Sequence, residues 1–306
     1  MPSSRVRFAI SAVLAAAAMG AAQTAFGADL GSGPLPPVSE PRSQWTLSIT
    51  PYGWLPFLQG DVTIKGRTVD IDVNPFELLD HLDAVPFMAY SEARKGPLAL
   101  YSDIFYAKVG VDASVSRSVR GLTAGASADL DIELAIIEAG GAFEVARWSS
   151  GNWGGALGNA PAFRPYTAVD VLAGARYWHQ NAEIKFGLTS ALDLNGLVVS
   201  RGRAIAREGS VDWVDPLVGF RIRQGLAPGQ ELLFRADVGG FDVGSEFSWN
   251  ILAAYSFEFA VRDGVTYSGL LGYRALSVDY VQGSGSSRYE YDVVQHGPVI
   301  GLTLRW

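Results

Sequence analysis

The residues best suited to acid–base chemistry in this chain are three histidines, His81, His179 and His296. His81 lies between Asp80 and Asp83, where a carboxylate could orient the ring as a general base or help it to bind a cation. The sequence contains no Gly-x-Ser-x-Gly nucleophile motif. A solvated histidine beside acidic residues explains His81 more simply, so the sequence favours a chain without enzymatic activity.

Carboxylates are the second group that could do chemistry. Asp129, Asp131 and Glu133 occupy alternate positions and would share one face of a strand, where they could collect a hard cation. Alternate strand positions are roughly 6–7 Å apart, so pairing with arginine is the simpler interpretation. With no cysteine in the chain, thiolate sites are excluded. We therefore expect neither a metal nor a cofactor.

Most charged side chains at strand positions divide by sign along the chain. The acidic set is Glu92, Asp103, Asp131, Glu133, Glu138, Glu144 and Asp170. The basic set is Arg221, Arg223, Arg235, Arg274 and Arg305. Exceptions to the division are Arg94, Arg176, Asp215, Asp237 and Glu258. Two such sets could pair across an interior, or they could form opposite walls of a water-filled passage.

The elements that would position these charges are strands, because the chain alternates apolar and polar residues with a period of two. Ten strands of roughly ten or more residues are predicted, with between eight and twelve as the range. They cover 45–54, 87–94, 98–109, 129–147, 166–178, 213–223, 231–239, 247–259, 265–280 and 289–306. A slip in the apolar pattern after Ile136 predicts a bulge in the fourth strand.

The connections alternate between short turns and longer segments. We expect 60–82 to be one long loop with a short helix at 75–82, and 114–127 to be a second loop. The segment 183–209 is either a loop or a further hairpin. Pro51, Pro216 and Pro298 lack a ladder donor, so we place them at bulges or strand ends.

The N-terminus has the three parts of a secretory signal peptide. Arg5 and Arg7 precede an apolar run that is shorter than the roughly twenty residues needed to span a bilayer. Cleavage before Ala28 is favoured, with cleavage after Ala22 as the alternative. We divide the chain into a signal peptide (1–27), a proline-rich linker (28–44) and a β domain (45–306). A net charge of −7 argues against a nucleic-acid partner.

The last strand shows what surrounds the β domain. Ile300, Leu302, Leu304 and Trp306 share one face and the chain ends on the aromatic residue. Gly301, Leu304 and Trp306 have the spacing of an assembly signal, and the segment resembles the C-terminal strand of Gram-negative outer-membrane β-barrel proteins. The opening Ala28-Asp29-Leu30 with its proline-rich continuation, and the entry into the first strand at Trp45, resemble small alphaproteobacterial proteins of this class. A soluble sandwich or lipocalin-like barrel would carry more surface charge.

The resemblance implies an all-β, transmembrane, antiparallel up-and-down barrel, inserted by the barrel-assembly machinery into the outer membrane. Its partners would be outer-membrane lipid and lipopolysaccharide, and its even strand number would put both termini in the periplasm. A charge at mid-bilayer costs about 2–4 kcal/mol, so the acidic and basic sets should face the lumen. Ion pairing that fills a narrow lumen is favoured over a small porin for polar solutes.

A third alternative is an outer-membrane hydrolase that uses His81 or His296. His296 lacks the nearby serine of the His-x-Ser pattern found in outer-membrane lipid A deacylases. His179 ends the predicted fifth strand, where rings commonly lie at a lipid–water boundary. The sequence therefore favours a non-enzymatic envelope component.

Overall fold

The computed structural model describes residues 44–64, 66–76, 85–119, 122–149, 163–194 and 197–306. The predicted signal peptide and nearly all of the linker lie outside these residues. So do His81 and residues 77–82 of the predicted helix.

Twelve strands form in the described residues, and all neighbouring strands are antiparallel. They are β1 (Thr46–Trp54), β2 (Phe57–Ile64), β3 (Arg67–Val73), β4 (Phe87–Lys95), β5 (Leu98–Val119), β6 (Leu122–Ser149), β7 (Tyr166–Leu194), β8 (Leu197–Ala227), β9 (Gln230–Gly240), β10 (Phe247–Arg262), β11 (Val265–Gln282) and β12 (Tyr289–Arg305). A short 3-10 helix, Gly285–Ser287, connects the last two.

Ten of these strands close into a barrel, in the order β1, β4 and then β5 to β12, with β12 returning to β1. The closing ladder includes Ile49 opposite Leu304 and Tyr52 opposite Gly301. Leu47 and Trp306 exchange both backbone hydrogen bonds at 2.9 and 3.0 Å. The predicted ten-stranded up-and-down barrel is therefore confirmed, and the terminal residue takes part in closing it.

The prediction that 60–82 is a single loop is wrong. β2 and β3 form a hairpin, and β2 pairs with the far part of β12, from Tyr289 to His296. β1 pairs with the near part of the same strand, so β12 passes from one partner to the other around Pro298. Leu55 donates its backbone N–H to the Pro298 carbonyl at 3.1 Å across this junction.

Strands β5 to β8 continue well past their neighbours. The β4–β5 ladder ends at Phe87 opposite Tyr106, and the β8–β9 ladder ends at Leu217 opposite Gly239. Beyond those points β5 to β8 pair with each other over the rest of their length. The predicted loop at 114–127 is therefore wrong, and 183–209 is a hairpin that lengthens β7 and β8 without adding a barrel strand.

The predicted fourth strand, which is part of β6, does contain a bulge, but the position predicted for it, directly after Ile136, is wrong. Ile136 is buried and Ile137 is exposed, so the two simply occupy opposite faces of an unbroken ladder. The real irregularity in β6 lies between Glu144 and Ala146. The outward face of β6 is polar before Ile137, as at Glu133, and apolar from Ile137 onward. The sequence pattern therefore changes at this point although the strand register does not.

The prediction that the three prolines lie at bulges or strand ends is wrong, because Pro51, Pro216 and Pro298 lie inside β1, β8 and β12. Each nevertheless lies where the ladder on one of its two sides is interrupted or ends. Pro51 falls within the interruption of the β1–β12 ladder between Ile49 and Tyr52. Pro216 directly precedes the first β8 residue that pairs with β9, and Pro298 lies at the junction between β1 and β2. A missing N–H donor therefore disrupts little pairing at these positions.

Candidate functional site, the outer band and the lumen

The outward face of the barrel carries a continuous apolar band. Its exposed members include Leu47, Ile49, Leu98, Leu100, Ile137, Phe143, Val171, Val218, Phe220, Leu232, Leu271, Ile300 and Leu302. Every one of the ten barrel strands except β4 and β10 contributes to this set, and Phe87 and Phe259 are exposed on those two. An apolar surface that encircles a closed sheet belongs in hydrocarbon.

Aromatic and imidazole rings border this band at both ends. Trp45, Trp148 and Trp306 are exposed at the end of the barrel where β1 begins and β12 ends, which holds the termini of the β domain. At the far end Tyr177 and Tyr273 are exposed. Along the barrel axis, Ile137 and Trp148 on β6 are separated by roughly 25 Å. This distance follows from a strand rise of roughly 3.3 Å per residue, one bulge between the two residues and the usual tilt of barrel strands. That distance matches the apolar band of membrane barrels. The chain is a transmembrane β-barrel.

No helix among the described residues is both long and apolar enough to cross a membrane.

Inside the transmembrane barrel, the charged groups nearest the termini form one connected network, here called the near network. Its members are Glu92, Arg94, Glu144, Asp170, Arg221 and Arg223. Asp170 is fully buried and accepts from Arg94 at 3.1 Å, Arg221 at 2.7 Å and Arg223 at 3.0 Å. Arg221 also donates to Glu92. Since Glu92 is on β4 and Arg221 on β8, the network ties opposite walls together.

A second network, the central network, lies deeper in the lumen. Its members are Asp103, Glu138, Arg176, Arg235, Asp237 and Arg274, together with Tyr52 and Asn250. Arg176 is fully buried and donates to Glu138 at 2.7 Å and to Asp237 at 2.6 Å. Arg235 donates to Glu138 as well.

Two neutral side chains extend the central network to the far wall. Asn250 donates to Asp237 at 2.8 Å and accepts from Arg274 at 3.0 Å. Arg274 in turn donates to Asp103 and to the Tyr52 hydroxyl, both at 3.0 Å. The hydrogen bonds therefore cross the lumen from β7 and β9 to β1 and β5.

The charges within the two networks balance. The near network holds the carboxylates of Glu92, Glu144 and Asp170 and the guanidinium groups of Arg94, Arg221 and Arg223. The central network likewise holds three of each, Asp103, Glu138 and Asp237 with Arg176, Arg235 and Arg274. Buried charges are costly unless they are paired, so a balanced and interlinked set suits a lumen from which water is excluded.

Above the central network the lumen is filled by an apolar plug, which we call the aromatic cluster. It contains Trp54, Met88, Phe105, Ile136, Trp178, Trp213, Leu276, Val278 and Tyr280, all buried. Trp213 stacks on Trp178 at 5.4 Å and on Tyr280 at 3.9 Å between ring centroids. The guanidinium of Arg274 lies 5.0 Å from the ring centre of Trp54, so the plug rests directly on the central network.

Close packing in the lumen also depends on glycines in the barrel wall, which have no side chain. The guanidinium of Arg235 lies over the Tyr101 ring, 4.8 Å from the centre of that ring. The ring fits because two neighbouring strands present glycine to it. A Cβ at Gly140 would lie 2.6 Å from the Tyr101 hydroxyl, and one at Gly174 would lie 3.0 Å away. The wall is therefore shaped to this tyrosine.

The structure distributes the predicted acidic set between two faces. Glu92, Asp103, Glu138, Glu144 and Asp170 lie in the lumen within the networks above. Glu133 lies on the outer face, where the Tyr106 hydroxyl donates to it at 3.1 Å, so its predicted lumenal position is wrong. The side chain of Asp131 lies outside the described part of β6.

The predicted basic set faces inward, although its members have different surroundings. Arg221, Arg223, Arg235 and Arg274 belong to the networks. Arg305 lies at the mouth near the termini, where it pairs with Glu258 and both side chains remain substantially exposed. Arg94, Arg176 and Asp237, which break the division by sign along the chain, are central ion-pair partners. Of the predicted assembly signal, Leu304 on β12 and Trp306 directly after it face outward, and Gly301 lies opposite Tyr52 on β1.

The aromatic cluster has no counterpart among the sequence-based predictions. One signal was available, because Trp178 and Trp213 fall two residues from the lumenal Arg176 and Asp215 on their strands and therefore on the same face. Inward tryptophans next to inward charges indicate an interior that holds no lipid.

The two described histidines lie on the outer face at the far edge of the band. His179 Nδ1 is 2.6 Å from an Asp212 oxygen, and Tyr177 donates to the same carboxylate at 2.6 Å. His296 Nδ1 is 2.6 Å from the Tyr273 hydroxyl, and Phe57 stacks on the imidazole. Within the described residues, no group of three or more His, Asp or Glu side chains could hold a metal ion.

Beyond the band, four aspartates stand opposite one another across adjacent strands. Asp70 pairs with Asp61, Asp61 with Asp292, and Asp292 with Asp279. Partial burial, together with the nearby charges of Asp292 and Glu246, raises the pKa of Asp279 to about 6. The pKa of Asp292 is raised mainly by burial as well. Like charges directly opposite each other destabilise a sheet, so this row weakens the far rim at neutral pH.

Comparisons with known proteins found no match by sequence and only distant alignments by structure. No protein-family model matches the chain, and no curated protein matches its sequence. Among solved structures, the Yersinia pestis attachment invasion locus protein Ail, in complex with the heparin analogue sucrose octasulfate, aligns at 11% identity and a TM-score of 0.26, covering 86% of this chain and 98% of that one. A Pseudomonas aeruginosa FadL homologue aligns at 8% and 0.23, covering 86% and 89%.

The Pseudomonas aeruginosa protein OccK2 aligns at 9% identity and a TM-score of 0.20, covering 87% of this chain and 99% of that one. TM-scores this low carry no argument about the role of the chain. Its barrel architecture rests on its own strand pairing.

Proposed function

We propose that this chain is an outer-membrane β-barrel whose lumen is permanently sealed, and that it serves as a non-enzymatic component of the cell envelope. The closed sheet and its apolar band support membrane residence. The observation that carries the sealed lumen is the chain of hydrogen bonds from Arg176 through Asp237, Asn250 and Arg274 to Asp103, which spans the barrel from wall to wall.

The runner-up is a small porin for polar solutes. A porin needs an aqueous path along its axis. Here the acidic and basic walls are within hydrogen-bonding distance of each other, and the aromatic cluster fills the section above them. These contacts favour the sealed barrel over the porin. The two described histidines take no part in these contacts, because both lie on the outer face.

The test uses cells that express the full chain. We expect the protein in the outer-membrane fraction, with slower gel migration after boiling, and uptake of small sugars and charged antibiotics equal to that of cells without it. An uptake rate that rises with expression of the chain would overturn the sealed barrel. Recovery in the soluble periplasmic fraction would overturn membrane residence.

Orientation follows from the same proposal. With both termini in the periplasm, the short turns at Pro228 and at Asp263 face the periplasm, and the Gly283–Arg288 connection faces outward. An epitope inserted after Gly285 should be detected on intact cells, whereas one inserted after Pro228 should require permeabilised cells. The reverse pattern would show that the barrel is inverted.

A further inference from the structure

The apolar band is not filled evenly, because a groove crosses it between β8 and β11. Its volume is about 470 Å³, within the roughly 300–1,000 Å³ typical of small-molecule sites. The outward side chains along it are Ile222, Gln224, Leu232, Phe234, Ala253, Tyr255, Leu271 and Tyr273. Ala253 forms the floor, since its in-register neighbours on the two sides are Phe234 and Tyr273.

The groove has defined ends. At its far end the Tyr273 hydroxyl is 2.6 Å from His296 Nδ1 at the edge of the band. Toward the termini the Phe257 ring covers Gly269, whose added Cβ would lie 2.4 Å from that ring. The groove therefore runs for a limited distance and does not continue along the whole barrel wall.

The lining is suited to hydrocarbon. All the outward side chains except Gln224 present methyl groups or aromatic rings, and Gln224 is already hydrogen-bonded to Thr167. Two tyrosines and a phenylalanine stand on either side of the single methyl group of Ala253. Rings on both sides of a small residue leave a channel of about one side chain in depth.

A second copy of the chain fits this surface poorly. A two-fold contact places the same patch of both molecules face to face, so the groove would meet its own image and leave the space unfilled. A flexible, unbranched hydrocarbon chain can follow the groove and fill this space.

We propose that this groove holds one acyl chain of a bilayer lipid, in the leaflet bordered by Tyr273 and His296. The proposal rests on the membrane residence proposed above, but not on the sealed lumen. The bound lipid would stay with the barrel on extraction, whereas lipid over the rest of the band exchanges with detergent.

Native mass spectrometry of the detergent-extracted protein tests the site. We expect the unaltered chain to retain one lipid, and Ala253→Trp, which fills the groove, to retain it roughly tenfold less, equivalent to about 1.4 kcal/mol. Ala173→Trp is the matched control, because Ala173 is also an exposed, outward alanine of the band, on β7. Its lipid retention should equal that of the unaltered chain.

Equal lipid retention by Ala253→Trp and the unaltered chain would overturn the proposal. So would a dimer that only the unaltered chain forms, because the occupant would then be a second copy. If Ala253→Trp does not fold, as judged by the gel shift on boiling, Tyr255→Ala replaces it, and this removal of one wall should also lower retention. Solute uptake reports on the lumen and is unaffected by either change, so failure of the sealed barrel would be seen separately.

Discussion

At the scale of single residues, Arg176 is the best test of the lumenal ion pairs. It is fully buried between Glu138 and Asp237. Removing one partner of a buried pair leaves an uncompensated charge and costs about 3–5 kcal/mol. We expect Arg176→Met to lower the free energy of unfolding by about that amount, measured by urea unfolding in lipid vesicles.

Arg305→Met is the control for this prediction. Its pair with Glu258 lies at the mouth, where the arginine side chain is 41% exposed, and exposed pairs contribute about 0–1 kcal/mol. Similar losses for the two variants would show that Arg176 is solvated, and would contradict a dry lumen.

Two adjacent glycines test the fit of the lumen wall. A Cβ at Gly140 would be 2.4 Å from the Ala173 carbonyl and 2.6 Å from the Tyr101 hydroxyl, whereas at Gly141 the nearest atom is 3.7 Å away. We expect Gly140→Ala to cost about 1–3 kcal/mol of unfolding free energy, as overpacking does. Gly141→Ala, on the outward face, should change it little. A reversed order in the same unfolding assay would mean that the faces are misassigned.

The sequence predicted which residues carry the lumenal charge better than it predicted their partners. Alternation assigns Glu92, Asp170 and Arg221 to one face, because the period of two is a property of the strand itself. It cannot say that Arg221 meets Glu92 and Asp170 at once, because that depends on which strands face each other across the closed barrel. Glu133 was misassigned for a related reason, since beyond the band the polar face is the outer one.

At the scale of strands, the far rim should respond to pH. Burial raises the pKa of Asp279 from 3.8 to about 6 in the folded chain. The folded state therefore binds more protons than the unfolded state between these values, and stability falls as pH rises from about 4 to about 6. We expect the unfolding temperature, followed by the gel shift on boiling, to fall over this range.

Asp279→Asn should flatten that dependence and raise the unfolding temperature at pH 7. Asp72→Asn, on the β2–β3 hairpin but outside the facing row, is the control and should leave the pH profile as it is. If the unfolding temperature of Asp279→Asn depended on pH as that of the unaltered chain does, a group other than Asp279 would be responsible.

The closing strand makes its own prediction. Trp306 contributes two backbone hydrogen bonds to Leu47 and an exposed ring at the near edge of the band. Trp306→Ala keeps the backbone bonds, whereas deletion of Trp306 removes them too. We expect reduced insertion for the first and a larger loss for the second, measured as the heat-modifiable fraction in membranes. Equal insertion for both and for the unaltered chain would contradict a role in closing the barrel.

The strands themselves were largely predictable, and the errors have one physical origin. Within the band each strand has an apolar face toward lipid, so alternation marks it clearly. Past the band the strands are surrounded by water instead of lipid. In the Ser- and Gly-rich segment 114–127 the two strand faces therefore do not differ in polarity. The pairing partners that turn these residues, and β2 and β3, into strands come from distant parts of the chain.

At the scale of the whole molecule, the barrel has an apolar outer band and a lumen crossed by two networks of buried ion pairs. The balanced charges of the two networks and the aromatic cluster above them support the proposed sealed lumen. The pairing is extensive but incomplete, since Arg94, Arg176, Arg221 and Arg235 each keep one buried nitrogen without a hydrogen-bond partner among the described residues. The groove on β8 to β11 is a feature of the outer wall and is independent of the interior.

Single-channel recording on the purified, refolded protein in a planar bilayer tests the sealed lumen most directly. Insertion is verified in parallel by the gel shift on boiling, so that silence is not mistaken for failure to insert. We predict no conductance steps at any moderate voltage, because the ion-pair networks and the aromatic cluster both block the axis. Stable, uniform steps from inserted protein would contradict the account.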